Sequence, residues 1–226
     1  MVFNAETLRN RGIMKIKKIA IMMLVVGFPF LTFAGIRNKR PIQAQLMGAL
    51  ILGNGVSVGY NLNDHLFLGG EYFSMKLTSK NEDDNDEINI AFSTTQLNAR
   101  YHLFENSAFY LQAGLAQRNW KVEANGTGDI GLSGVTADYT WTFEWPKTAF
   151  SYGLGFNWIA DFGLSGGFYL GMLSGSKPTL KGKINHAAGF ILQPEIDREI
   201  NEYYKKNNLD RFSSIPVIAG YIGYNF

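Results

Sequence analysis

Residues Ser213–Phe226 read SSIPVIAGYIGYNF. From Pro216 onward one set of alternate positions is Ile218, Gly220, Ile222, Tyr224 and Phe226; the other is Val217, Ala219, Tyr221, Gly223 and Asn225. The period is two, which makes this a strand. One face is apolar and ends in aromatics, while the other is small or polar. A strand that touches lipid on one side needs this division, with its aromatic end at the membrane–water boundary. An edge strand of a soluble sandwich is the competing reading.

The rest of the chain is consistent with the lipid-facing reading. The sequence has 226 residues, room for one domain or two small ones. Aromatics make up 14%, with 25 glycines and 11 tyrosines, an enrichment that suits aromatic girdles around a tightly packed interior. The mean hydropathy of −0.07 is too polar for a bundle of membrane helices. A barrel hides in such an average because only alternate residues meet lipid. There is no cysteine, which excludes disulfides, thiolate metal sites, cysteine nucleophiles and lipidation of an N-terminal cysteine.

The N-terminus reads as an export signal. Lys15, Lys17 and Lys18 precede an apolar run from Ile19 to Phe33, and Thr32-Phe33-Ala34 has the small-x-small pattern of a cleavage site. The run is shorter than the roughly 20 residues of a spanning helix. The expectation is that residues 1–34 form an N-terminal extension and cleaved signal peptide, with translation starting at Met14, and that 35–226 form one barrel domain. Cleavage removes five of the 21 basic and one of the 19 acidic residues, so the mature net charge is about −2. Nothing in that balance points to nucleic acid.

Along the chain, Gln43 to Leu62 is strand-like but contains Gly53-Asn54-Gly55, which is either a hairpin turn or a glycine kink. Leu66 to Leu77 is a strand, and Thr78 to Glu87 reads as a polar loop. Ile88 to Phe104 alternates cleanly, with Leu97, Ala99, Tyr101 and Leu103 opposite Gln96, Asn98, Arg100 and His102. Ala108 to Val122 is a strand and Glu123 to Gly134 a glycine-rich loop. Val135 to Trp145 and Thr148 to Ala160 alternate on either side of Pro146, which ends or bends the strand. Leu164 to Leu173 is a strand. Thr179 to Ile184 reads as a short strand, and Pro194 to Asn208 as a helix with acids first and Lys205-Lys206 last.

Tight turns fall at 61–65, 105–107 and 161–163. Strands in lipid must close on themselves to satisfy their backbone groups. The expected fold is therefore an all-β, closed antiparallel transmembrane barrel with one short helix in the last long loop. Taking 53–55 as a hairpin and 135–160 as one long bent strand gives eight strands. Ten is the alternative.

The closing PVIAGYIGYNF, the alternating strands with turns such as YNLNDH, and the late acidic helix resemble small bacterial outer-membrane barrels of the OmpA transmembrane-domain and OmpW types. That resemblance implies residence in the outer membrane, lipid as a partner, and recognition of Ile222, Tyr224 and Phe226 by the barrel-assembly machinery. It also implies a structural or surface-interaction role, or passage of small apolar molecules.

Eight strands enclose a lumen just wide enough for side chains. Candidates for a polar lumen network are Glu71, Arg100, Arg118, Asp138 and Glu144, with Glu71 or Glu144 as partner of Arg100. Catalysis is not expected. Lipid-modifying barrels resemble hydrolases that need a histidine beside a serine and an acid. His65 lies in a turn and His186 in a loop, and no serine sits two residues from His102. The acidic residues between Glu82 and Glu87 lack the glycine and spacing of a calcium loop. No metal, cofactor or nucleic-acid partner is expected.

Overall fold

The computed structural model describes residues 36–81, 86–104, 107–129, 136–185, 197–198, 202 and 213–226. The expected signal peptide lies outside the described residues. So does most of the helix expected at 194–208, of which Asp197, Arg198 and Glu202 are described and helical.

A short helix α1 (Ile36–Lys39) is followed by β1 (Ile42–Ala49), β2 (Gly53–Asn61), β3 (Leu66–Asn81), β4 (Asp86–His102), β5 (Phe109–Asp129), β6 (Thr136–Glu144), β7 (Thr148–Ile159), β8 (Leu164–Gly175), β9 (Thr179–Asn185) and β10 (Ser214–Asn225). Eight of these close a ring of antiparallel neighbours in the order β1-β2-β3-β4-β5-β7-β8-β10. The seam is the β1–β10 ladder, which runs from Gln43↔Asn225 to Ala49↔Ala219. The fold is thus an all-β, closed, eight-stranded barrel.

Short turns cluster at one end. In the β2–β3 turn, Asn63 Oδ1 accepts from the backbone N–H groups of His65 (2.9 Å) and Leu66 (2.8 Å), an Asx turn. Gly163 closes the β7–β8 turn at φ 105°, a conformation that favours glycine. The β1–β2 turn, at the opposite end, differs from expectation. It comprises Leu50, Ile51 and Leu52, since Ala49 already pairs with Gly53. Gly53 supplies the left-handed residue (φ 80°), and Leu52 turns inward and is buried. Burying Leu52 at this point offsets the unusual placement of three apolar residues in a turn.

The barrel is apolar outside and polar inside. Leu46, Val58, Leu68, Leu97, Leu111, Leu154, Leu170, Ile218 and Ile222 are exposed on its outer face, while Gln43, Gln45, Ser57, Glu71, Gln96, Asn98, Arg100 and Gln112 are buried. At the short-turn end the outward rim is aromatic, with Tyr60, Tyr101, Phe104, Phe109, Phe162, Tyr224 and Phe226.

Beyond the long-loop end, part of the barrel wall continues upward. β3 and β4 stay paired to Asn81↔Asp86, replacing the loop expected at 78–87. β5 likewise runs through the expected loop at 123–134 as far as Asp129, pairing above Lys121 with β6 rather than β7. β6 and β7 are one antiparallel course along β5, interrupted at Trp145-Pro146-Lys147, where proline has no N–H to donate. β8 and β9 are interrupted similarly at Ser176-Lys177-Pro178, and β9 pairs with β6. The result is a raised wall in the order β3-β4-β5-β6-β9 above a low rim at β10-β1-β2.

Candidate functional site

Inside the barrel, even-numbered residues of β4 and β5 and odd-numbered residues of β3 share one face, as the pairings Arg100↔Gln112 and Glu71↔Gln96 show. That parity delivers Arg100 and Glu71 to the centre of the lumen. Arg100 Nη2 donates to Glu71 Oε1 at 2.7 Å, and both side chains are almost fully buried. Arg100 Nε donates to Gln112 (3.0 Å), and Nη1 reaches Gln43 and Gln45 (3.4 Å each). The second oxygen of Glu71 accepts from Gln96 at 3.3 Å. The guanidinium carbon also lies 4.6 Å from the Phe67 ring centre, 5.3 Å from Tyr110 and 5.4 Å from Tyr221.

A buried ion pair holds only when its remaining hydrogen-bonding capacity is met nearby, and the four strand-borne glutamines and the aromatic faces do this. Glycines make room for the rings: a β-carbon at Gly167 would strike the Phe156 carbonyl and the Tyr221 ring. Tyr221 donates to that same carbonyl at 2.9 Å.

Toward the short-turn end, Gln43 donates to Asn225 (3.2 Å), and Asn225 donates to the Arg40 carbonyl (3.3 Å). Below these, Arg37 of α1 is buried and bonds the carbonyls of Asp64 (3.2 Å) and Ser107 (2.8 Å), which ties the helix across two turns. Toward the other end the lumen becomes apolar, filled by Met47, Leu52, Phe73, Trp120, Leu173, Ile215 and Val217.

The five expected lumen residues therefore separate. Glu71 and Arg100 meet. Arg118 is buried (0% exposed) at the top of the lumen, apart from them, and its Nε donates to the Pro146 carbonyl at 2.7 Å. Asp138 and Glu144 are not in the lumen. Asp138 accepts from Thr127 (2.9 Å) and Glu144 pairs with Lys181 (3.0 Å), all on the outer face of the raised wall. The reason is a reversal of polarity.

On the raised wall the outward residues are polar, as in the pairs Lys80–Glu87 (3.1 Å) and Lys121–Glu123 (2.7 Å), while Ile90, Phe92, Val122, Phe143, Trp141 and Leu180 share the inner face through their pairings. Asn89 and Lys80 together hold the Glu87 carboxyl below its ordinary range by hydrogen bonding to the charged form. The alternation Val135 to Trp145 fixes which residues share a face; the height of that strand above the apolar belt decides which face is outside.

The aromatics of this inner face form a shelf over the lumen that the sequence did not single out. Phe92 stacks on Trp120 (5.0 Å), and Trp145 stands edge-on to Phe92 (5.7 Å), Trp120 (5.8 Å) and Phe143 (4.5 Å). Trp120 Nε1 donates to Thr94 at 2.8 Å.

His102 is buried against Tyr110 (5.5 Å). Ser107, the serine nearest it in sequence, turns its hydroxyl to the backbone of Phe109. Among the described residues, no three histidines, aspartates or glutamates gather into a possible metal site.

No family model matches the sequence, and no curated protein matches it. Among solved structures the chain is similar to Acinetobacter baumannii CarO, with 14% identity and a TM-score of 0.55 over 82% of this chain and 98% of that one. It is also similar to A. baumannii CarO2, with 15% identity and a TM-score of 0.54 over 83% of this chain and 99% of the other. At this identity the likeness is one of fold: the chain shares its barrel with the CarO structures.

Proposed function

We propose that this chain is an integral β-barrel of a bacterial outer membrane, exported by cleavage after Ala34, with a filled lumen and a structural or surface-interaction role without catalysis. The observation that supports it is the reversal of polarity along the strands. From Phe150 to Trp158, β7 at ~3.3 Å per residue and a tilt of about 40° gives an apolar belt on the order of 20 Å tall, near the roughly 25 Å band of known barrels. Above that belt the outward residues become polar, as a wall entering water requires. The raised wall then faces the cell exterior, and α1 with the short turns faces the periplasm.

Fractionation is the direct test. The mature chain, beginning at Gly35, is expected in the outer-membrane fraction, with a faster-migrating form on gels that is lost on boiling. Recovery as a soluble periplasmic protein overturns the reading. In planar bilayers the filled lumen is expected to give no steady ionic conductance, and regular single-channel steps would replace the plugged barrel with an open pore.

The CarO likeness carries the architecture, and an OmpW-type conduit for small apolar molecules is a second reading. It is favoured by the apolar inner face of the raised wall beside the low rim. We also assign the assembly signal to Ile222, Tyr224 and Phe226. Phe226 donates its backbone N–H to Ile42 across the seam (2.9 Å), and its ring lies 5.0 Å from Tyr224. Phe226→Ala is expected to lower the amount of folded barrel in cells several-fold while leaving refolding of the purified chain in detergent intact. Equal cellular levels would remove the signal role.

A further inference from the structure

Arg118 occupies an unusual position. It lies on the inner face of β5, at the floor of the mouth and just above the height at which outward residues turn from Leu115 to Gln117 and Asn119. Its backbone N–H donates to Lys147 (2.6 Å), its Nε donates to Pro146 (2.7 Å), and its guanidinium carbon sits 5.3 Å from the Trp120 ring centre. The side chain is fully buried, yet among the described residues neither Nη1 nor Nη2 has a hydrogen-bond partner.

Several neutral amides and hydroxyls of the lumen also lack partners, but a guanidinium cannot shed its charge. An unpaired buried cation is costly, and Arg100, three inward-facing layers below in the same lumen, shows how this chain satisfies one elsewhere. The two free nitrogens present parallel donors of the kind that fit the two oxygens of a carboxylate. Around and above them stand Phe92, Trp120, Phe143 and Trp145, then Ile90, Val122 and Leu180. Gly175 lies so close that a β-carbon there would sit 2.5 Å from Nη2.

We propose that this mouth binds an amphiphilic monocarboxylate. The carboxylate accepts from Nη1 and Nη2 of Arg118, and its apolar chain lies along the aromatic shelf and the inner face of the raised wall. From Arg118 to Gly126 that face is on the order of 25 Å long at ~3.3 Å per residue, ample for a medium or long acyl chain. The single charge of the ligand matches that of the arginine, and its chain lies against side chains such as Phe92, Phe143, Val122 and Leu180 that are otherwise partly exposed. This deepens the proposed surface-interaction role and rests on that reading for its access, since the mouth must open to the exterior.

The test uses the full mature barrel in lipid nanodiscs and reads quenching of tryptophan fluorescence by a bromo-substituted dodecanoic acid. The corresponding bromo-dodecanol and bromo-dodecyl phosphate serve as controls. The carboxylate is expected to quench saturably and to bind at least tenfold more tightly than the alcohol. Arg118→Gln should abolish that preference, and Arg118→Lys should restore part of it. Gly175→Ala, which crowds the guanidinium without removing it, should weaken the acid more than the alcohol.

Equal binding of acid and alcohol by the wild-type barrel overturns the proposal without any variant. So does unsaturable quenching, which would mean that the probe reports only the bilayer and that water or the chain's own residues cover Arg118. Tighter binding of the phosphate than of the carboxylate overturns the ligand class. Because these readings are made on a barrel already shown to be folded in lipid, their failure leaves the outer-membrane reading standing.

Discussion

Glu71→Leu is expected to destabilise the barrel by about 3–5 kcal/mol, because it removes the carboxylate from a guanidinium that stays buried and charged. Arg100 keeps its contacts with Gln112, Gln43 and Gln45, but these are neutral acceptors, two of them at 3.4 Å. The converse change, Arg100→Leu, should cost less. The carboxyl left behind can take up a proton and donate to a neighbouring glutamine, whereas arginine has no comparable escape.

Glu71→Gln, which retains an acceptor, should fall between wild type and Glu71→Leu. The double replacement Glu71→Leu/Arg100→Leu should recover most of the loss, since neither charge is then stranded. Urea unfolding in lipid vesicles, followed by tryptophan fluorescence, measures all four. Glu71→Leu unfolding at the wild-type midpoint would mean that water reaches Arg100 and that the lumen is not a packed core.

The second large effect contrasts two positions on one course of chain. Leu154 is half exposed near the middle of the apolar belt, and Leu154→Arg should cost about 2–4 kcal/mol in vesicles, the penalty for arginine near the bilayer midplane. Thr142 faces outward between Glu123 and Lys181, above Pro146. Thr142→Arg should change stability by no more than about 0.5 kcal/mol. The same pair compared in detergent and in vesicles separates lipid burial from strand pairing. Equal tolerance of both substitutions in vesicles would show that the belt does not face lipid.

Much of this architecture was legible in the sequence because a strand in a barrel carries a period-two pattern that names its own faces. The alternations in Gln96 to Leu103 and in Val217 to Phe226 fall on the faces expected of them. The turns at Asn63 and Gly163 announce themselves through residue chemistry. Two kinds of information were missing.

The first is height. Thr78 to Glu87 and Glu123 to Asp129 are polar enough to pass for loops, yet they pair as strands because water, rather than lipid, wets their outer side. For the same reason Asp138 and Glu144 stand outside and Trp141 and Phe143 inside. The second is register. The parity of Gln43, Gln45 and Gln112 puts them in the lumen, but only the pairing of strands far apart in sequence brings them within reach of Arg100. The shelf of Phe92, Trp120, Phe143 and Trp145 draws on three strands and has no local signal.

The seam between β1 and β10 sets the order of events in folding. Gln43 and Asn225 touch across a separation of 182 positions, so the ring cannot close until nearly the entire chain has been delivered. Until then both flanking strands present unpaired backbone edges, and the entropic cost of bringing them together falls late. On the export route proposed above, a partly delivered polypeptide would therefore be prone to aggregate. Holdase chaperones that shield such edges during transit, rather than any local turn, are expected to govern its yield.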